Sequence, residues 1–311
     1  MEKKILIIKH GSFGDIILAT GAIKSIRKHF LNHKIYLLTS SNYLNFMKQC
    51  PNIDRFIIDD RKNFFKFIYN FILLKNILSE KFEYIIDLQN SKRTFFYNII
   101  FRLFCKSIIS SSRPLAHFRY IIPPQGYEHV TDGLNNQLKL IGIKIHHRPE
   151  VEWLLINKIK DEKYNSPYII FIPGTSIKGY KKRWSSKKYG ELAKYLSKKN
   201  YTIIVIGRNE DYEASKYILE LCPEAINLLG KSPPSVIYEL SKKAKFIISN
   251  DTGPAILSSL SGTPLVWIVN DNTVSFSNKP IGGKIIKISS KKINDISLQN
   301  IQNHLMKERL I

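Results

Sequence analysis

Residues 245–270 read KFIISNDTGPAILSSLSGTPLVWIVN. Two apolar runs, one centred on Ile247 and one on Val266, flank a short stretch in which Pro254 stands where a first helical position accepts proline. Neither run alternates polar with apolar residues, so both faces of each strand are buried. That is the signature of parallel strands joined by a crossover helix. The same unit repeats upstream as strand YIIFIPG, helix KKYGELAKYLSKKN, strand YTIIVIG, helix EDYEASKYILEL, strand AINLLG and helix SVIYELSKKA. Five strands alternating with four helices predict a doubly wound domain.

The first half of the chain repeats the theme with KILIIKH, GDIILATGAIKSIRKHF, KIYLLTS, NYLNFMKQC, RFIID and YIIDLQ. A helix in EHVTDGLNNQLKLIGI closes near Gly142, and the polar stretch after it places a boundary near Lys158. The fold class is therefore α/β, with two Rossmann-like doubly wound domains, 1–157 and 158–311. Ligands of such sheets bind outside the carboxyl ends of the strands, so the expected site is a central cleft that the two domains face.

Two segments, Phe64 to Leu78 and Thr94 to Ser110, are aromatic and aliphatic with sparse polar breaks. In the second, Thr94, Asn98, Arg102 and Lys106 recur every four residues and draw a narrow polar stripe along an apolar helix. Core packing and contact with lipid headgroups both satisfy such a pattern.

The chain has 311 residues, with 48 Lys plus Arg against 25 Asp plus Glu, a net charge of +23. That balance favours anionic partners: a phosphorylated substrate, an anionic membrane face or nucleic acid. No zinc, RNP or helix-turn-helix signature accompanies the charge, so nucleic acid is not expected. The three cysteines are widely spaced, which points to a reducing compartment without a metal cluster. The basic N-terminus runs from a short apolar stretch back into charge, unlike a signal peptide. No run approaches the ~20 apolar residues of a membrane span.

Three stretches have chemical potential. In HGSFGD, His10 to Asp15, Gly11 and Gly14 allow close backbone approach to an anion between strand and helix, while Asp15 also suits a first helical turn. In FIPGTSIKGYKKRW, Gly174, Thr175 and Ser176 follow a strand and precede Lys178, Lys181, Lys182 and Arg183, a set suited to a diphosphate. In SNDTGP, the amides of Thr252 and Gly253 offer anion donors, and Asp251 an acceptor for sugar hydroxyls.

The GD after the first strand, the PG and KRW that open the second domain, LLGKSPPSVIYELSKKAKFIISNDTGP and SGTPLVWI together resemble the ADP-heptose:lipopolysaccharide heptosyltransferase family, glycosyltransferase family 9. The resemblance implies the two-lobed GT-B fold and inverting transfer from an ADP-linked sugar, a heptose in that family's pattern, to a lipopolysaccharide core or other anionic glycolipid. It places the enzyme in the cytoplasm, peripheral at the inner face of the cytoplasmic membrane. It makes Asp15 the general base and Lys182 the balance for the leaving diphosphate. Gly14, Gly174, Thr175, Ser176, Ser232, Asp251, Thr252 and Gly253 become donor-binding residues, and Gln89 and Arg93 acceptor-binding ones. The acid that meets the nucleoside falls on Glu210 or Glu213. No metal or other cofactor is implied, since no paired aspartates mark a divalent-cation site. One departure stands out: the family's histidine three residues after the glycine of the last block is Ile256 here. That substitution keeps two alternatives open, a different nucleotide-sugar on the same fold or a non-catalytic nucleotide-sugar or polyanion binder.

Overall fold

The computed structural model describes residues 2–154, 164, 166–271 and 276–311. Two compact units divide the chain, Met1–Trp153 and Leu154–Ile311. Lys158, where the sequence reading puts the boundary, lies outside the described residues. The segment leading up to it belongs to the first unit, because the backbone amides of His147 and Glu150 donate to Ser25 Oγ and Thr20 Oγ1 on the first helix, at 2.9 and 3.0 Å.

The first unit runs β1 Lys4–Ile8, α1 Phe13–His29, β2 Lys34–Thr39, α2 Ser41–Met47, β3 Arg55–Ile58, α3 Phe67–Ser79, β4 Tyr84–Asp87, α4 Lys92–Phe104, β5 Ile108–Ser111, β6 Phe118–Arg119 and α5 Val130–Lys139. Its six strands are all parallel and lie in the order β3-β2-β1-β4-β5-β6. β1 is central and β-branched on both faces, and Ile5 to Ile8 are fully buried.

The second unit runs β7 Tyr168–Ile172, α6 Ser186–Ser197, β8 Thr202–Gly207, α7 Tyr212–Leu221, β9 Ile226–Leu229, α8 Pro234–Lys243, β10 Phe246–Asn250, α9 Gly253–Ser259, β11 Leu265–Asn270, β12 Ile285–Ser290 and α10 Leu298–Lys307. Its order, β12-β11-β10-β7-β8-β9, is the first unit's topology again, also fully parallel. In each sheet the winding direction reverses once, between β1 and β4 and between β7 and β10. Those two reversals are the topological switch points where α/β sheets bind ligands.

Two sequence expectations are corrected. The apolar helix expected over Thr94 to Ser110 stops at Phe104; Ile108–Ser111 instead pairs with β4, because β-branched residues completing a parallel sheet outweigh continuation of the helix. Its polar stripe divides between the two settings left open, with Arg102 and Lys106 exposed and the first two members in the core. Thr94 and Asn98 are fully buried: Thr94 Oγ1 accepts from the Ser91 amide at 2.8 Å and Asn98 Nδ2 donates to Pro114 O at 3.2 Å. In the second unit a sixth strand, β12, joins the five expected.

Candidate active site

Each unit brings some of its predicted residues to the loops at its own switch point. In the first unit, β1 ends in Lys9-His10 and turns through Gly11, whose φ of +97° belongs to the left-handed region that glycine enters without strain. Gln89, just past the end of the neighbouring β4, closes the turn: its Oε1 accepts from the amides of His10 and Gly11 at 2.9 and 3.2 Å. Thus the amides of His10 and Gly11 are satisfied within the protein, and Gln89 is what satisfies them.

α1 begins immediately after. Asp15 sits at its third position, and its Oδ2 accepts from both the amide and the hydroxyl of Ser12 at 3.0 Å. The first-turn role read from the sequence is therefore real, since a carboxylate here also answers the helix dipole. It leaves a chemical option as well, because Oδ1 carries no hydrogen bond among the described residues and the side chain is only half-buried. A carboxylate pinned through one oxygen and open at the other has the geometry of an oriented base. Gly14, one residue earlier, is buried in the first turn.

Beneath the turn lie groups that the sequence reading did not single out. Lys9 is almost fully buried and donates to Leu88 O at 3.0 Å. Burial pushes its ammonium pKa down, while the charges of Asp15 and Asp87 push back. Burial likewise raises the Asp87 pKa, opposed by hydrogen bonds from Asn90, Thr94, Ser111 and Gln89. His10 Nε2 lies 2.8 Å from Asp59 Oδ2, both side chains having no solvent exposure.

Asp59 is the hub of this network. Tyr97 Oη donates to its Oδ2 at 2.6 Å, and Arg93 grips it with two nitrogens, Nε to Oδ2 at 2.9 Å and Nη2 to Oδ1 at 2.8 Å. Burial alone would raise the Asp59 pKa, but hydrogen bonds from His10, Arg93 and Tyr97 outweigh it and hold the carboxyl well below the ordinary range. The Tyr97 hydroxyl is pushed up, by burial first and then by the Asp59 charge. Arg93 also donates from Nη1 to Lys62 O at 2.8 Å and from Nη2 to Asn70 Oδ1 at 3.0 Å, so its guanidinium braces the start of α3. A buried acid at the end of β3 was the signal available in RFIID.

In the second unit, two residues 69 positions apart meet. Lys182 Nζ pairs with Asp251 Oδ2 at 2.6 Å, the lysine more than one-third exposed and the aspartate mostly covered. Lys182 ends a short 3-10 turn over Ile177–Lys182; Asp251 follows β10. The side chain of Lys178 lies outside what the structure describes. The amides of Thr252 and Gly253 have no hydrogen-bond partner among the described residues and lead directly into α9.

Asn250 clamps this arrangement. Fully buried, it donates through Nδ2 to Pro173 O at 2.6 Å and accepts through Oδ1 from Trp184 N and Tyr189 Oη, each at 3.2 Å. One side chain thereby ties β10 to the loop after β7 and to the segment that carries Lys182. Gly174 is required by a close approach: a Cβ there would stand 2.5 Å from Asp211 Oδ2 and nearer still to its Cγ. Asp211 accepts from Arg183 Nη2 at 3.2 Å, and Arg183 donates from Nε to Thr175 Oγ1 and from Nη2 to Thr175 O, both at 3.0 Å. The Thr175 hydroxyl in turn donates to Gly179 O at 2.9 Å. Thr175 is thus a buried brace of the loop, whereas Ser176 beside it is exposed.

The remaining predicted residues are peripheral to this cluster. Ser232 Oγ donates to Leu228 O at 3.1 Å. Glu210 lies 3.9 Å from Arg208 and Glu213 lies 3.0 Å from Lys216, both acids largely exposed. Ile256, where the resemblance leads one to look for histidine, is buried in the core. Among the described residues no three His, Cys, Asp or Glu side chains converge to hold a metal ion, and no helix is long and apolar enough to cross a membrane.

The family model described as glycosyltransferase family 9 (heptosyltransferase) matches residues 71–305. Among curated proteins, the lipopolysaccharide core heptosyltransferase OpsX of Haemophilus influenzae is 23% identical over 280 residues, 86% of this chain and 78% of that protein. Lipopolysaccharide heptosyltransferase 2 of Escherichia coli is 31% identical over 116 residues, 36% of this chain and 33% of that protein. A solved family 9 glycosyl transferase from Veillonella parvula superposes with a TM-score of 0.81 at 20% identity, covering 99% of this chain and 97% of that one. The ADP-heptose lps heptosyltransferase II of Escherichia coli gives 0.77 at 18%, covering 99% and 100%.

Proposed function

The chain belongs to glycosyltransferase family 9 (heptosyltransferase), and on that premise we propose that it transfers heptose, with inversion, from ADP-heptose to an acceptor in the lipopolysaccharide core. The observation that carries the reading is the meeting of Lys182 and Asp251 at the second unit's switch point. An ammonium partly open to solvent, two free amides and a carboxylate form a set that serves a sugar diphosphate: the cation and amides for the phosphates, the carboxylate for the sugar hydroxyls. On arrival the diphosphate shares or takes over Lys182 from Asp251, and the cation then balances charge as the sugar-phosphate bond breaks.

In the first unit Asp15 takes the proton from the acceptor hydroxyl as that oxygen attacks the anomeric carbon. Ser12 orients the carboxylate through Oδ2 and leaves Oδ1 for the proton. Lys182 and the backbone amides replace a divalent cation in this scheme, so the reaction is metal-independent and needs no cofactor beyond the donor. The enzyme works in the cytoplasm at the inner membrane surface, where such an acceptor is presented.

Asp15→Asn tests the assignment, since asparagine keeps an oxygen for the Ser12 amide and preserves the helix start. Transfer should fall by about 10²- to 10⁴-fold, with ADP-heptose binding by calorimetry unchanged. Turnover at the wild-type rate would remove Asp15 from the mechanism. Buried Ile256 offers no polar atom to the donor, so ADP-heptose is compared with other ADP-hexoses in the same assay, and preference for one of those would revise the sugar but leave the chemistry standing.

A further inference from the structure

The outward face of α3 is apolar where a surface helix is ordinarily polar. Leu73 and Ile77 point inward, into the core with Tyr97 and Phe101 of α4. The opposite side presents Phe67, Ile68, Phe71 and Ile72, continued by Phe64 and Phe65 in the preceding loop, all six between 45% and 79% exposed. Isolated exposed apolar residues need no explanation, but six large ones within nine consecutive positions do.

Charge says what covers them. From Arg61 to Ser79 the chain carries Arg61, Lys62, Lys66 and Lys75 and no acidic residue, and all four cations are exposed. A second copy of this chain laid symmetrically on the patch would bring like charges together, on a protein already at +23. An anionic bilayer satisfies both features at once, taking the rings into the headgroup boundary and the cations onto lipid phosphates.

Position adds a third observation. The patch follows the carboxyl end of β3, and Asp15 follows the carboxyl end of β1, two parallel strands away, about 10 Å along the sheet edge. The two are mechanically joined: His10 beside the glycine turn contacts Asp59, Asp59 holds Arg93, and Arg93 holds Lys62 O and Asn70 at the root of the patch. We propose that residues 61–75 are a membrane-docking surface for anionic lipid that brings the Asp15 edge of the first unit to the bilayer. Its biological purpose rests on the lipid-linked acceptor proposed above; its existence as a lipid-binding surface does not.

The full chain, without donor, is sedimented with phosphatidylethanolamine/phosphatidylglycerol vesicles and with phosphatidylcholine vesicles. The wild type should bind the former and leave the latter. Phe65→Ser/Phe67→Ser/Phe71→Ser should weaken binding at least about tenfold, with an unchanged melting temperature and unchanged transfer to a deacylated, soluble acceptor. Lys62→Glu/Lys66→Glu supplies a second variant whose exposed substitutions do not disturb packing, and it should also release the protein. Undiminished binding by both variants, or no wild-type binding to anionic vesicles, overturns the proposal. So does a wild-type dimer that the triple variant converts to monomer, which would make a second copy the occupant. A wild type that binds vesicles yet transfers no sugar counts against the transferase reading alone.

Discussion

Replacing Gly174 by alanine isolates the packing that holds the loop after β7. The added Cβ would lie within the space of the Asp211 carboxyl group, 2.5 Å from Oδ2, whereas real Cβ atoms keep beyond about 3 Å. Gly174 does not have a positive φ, so backbone strain contributes nothing and the effect is steric. Asp211 must move. In moving it loses the Arg208 amide at 3.0 Å and Arg183 Nη2 at 3.2 Å. Hydrogen bonds to a charged group contribute roughly 1.5–3 kcal/mol each, but the partly exposed Arg183 regains water, so the expected destabilisation is about 3 kcal/mol, within the range of overpacking. Arg183 also holds Thr175, hence the segment carrying Lys182, and ADP affinity should fall about tenfold along with stability. A double-mutant cycle supplies the decisive measurement. Because the clashing atoms belong to the Asp211 carboxyl group, Gly174→Ala in an Asp211→Ala background should cost under about 1 kcal/mol, a coupling of about 2 kcal/mol by denaturant unfolding. Equal cost in both backgrounds would refute the steric argument and with it the claim that Asp211 dictates glycine at this position.

Other consequences are open to direct measurement. Asn250→Ala removes three buried hydrogen bonds and strands Pro173 O; a loss of about 3–5 kcal/mol in denaturant melts is expected, and a loss below about 1 kcal/mol would show that the clamp is not needed. Asp59 has a folded pKa below its ordinary value, so its stabilisation is complete above the unfolded value of about 4 and is lost as pH falls through the folded one. The stability difference between wild type and Asp59→Asn should therefore be constant from about pH 5 to 7, at about 3 kcal/mol, and should shrink below about pH 4. Asp87, whose pKa is raised, acts with the opposite sign but equally in both proteins. Transfer assayed in excess chelator should retain full rate; a loss restored by Mg²⁺ or Mn²⁺ would overturn metal independence.

Legibility followed burial. The central strands are read easily from sequence because Ile5 to Ile8 and Phe246 to Ile248 are short apolar runs buried on both faces. β12 escaped because it lies at the sheet edge and alternates buried Ile286 and Ile288 with exposed Lys287, so that KIIKISS reads as a basic surface segment. β5 was absorbed into the helix before it because no glycine or proline separates Phe104 from Ile108; only the vacancy beside β4 decides where the helix stops. The apolar character of α3 was plain, but its division into a core face and a solvent face required knowing which turn of the helix met the sheet.

Site residues divide along a different line, between groups that act where they stand and groups whose task is set by a distant partner. Asp15 is visible in HGSFGD because strand, glycine turn and helix start are contiguous, so a short stretch of sequence fixes where its carboxylate goes. Lys182 and Asp251 are each suggestive alone, yet their pairing depends on β7 and β10 being neighbours, which follows only from the winding reversal of the second sheet. Gln89 and Arg93, which the resemblance makes acceptor-binding, also brace the fold: Gln89 accepts from the His10 and Gly11 amides, and Arg93 is held on Asp59. In both cases the side chain reaches from β4 and α4 toward the end of another strand, a relation invisible along the chain. The glycine turn is therefore held from below by its neighbours, and Asp15 follows it in the first turn of α1. The base role proposed for Asp15 calls for such a setting: Oδ2 is held by Ser12, and Oδ1 carries no hydrogen bond among the described residues.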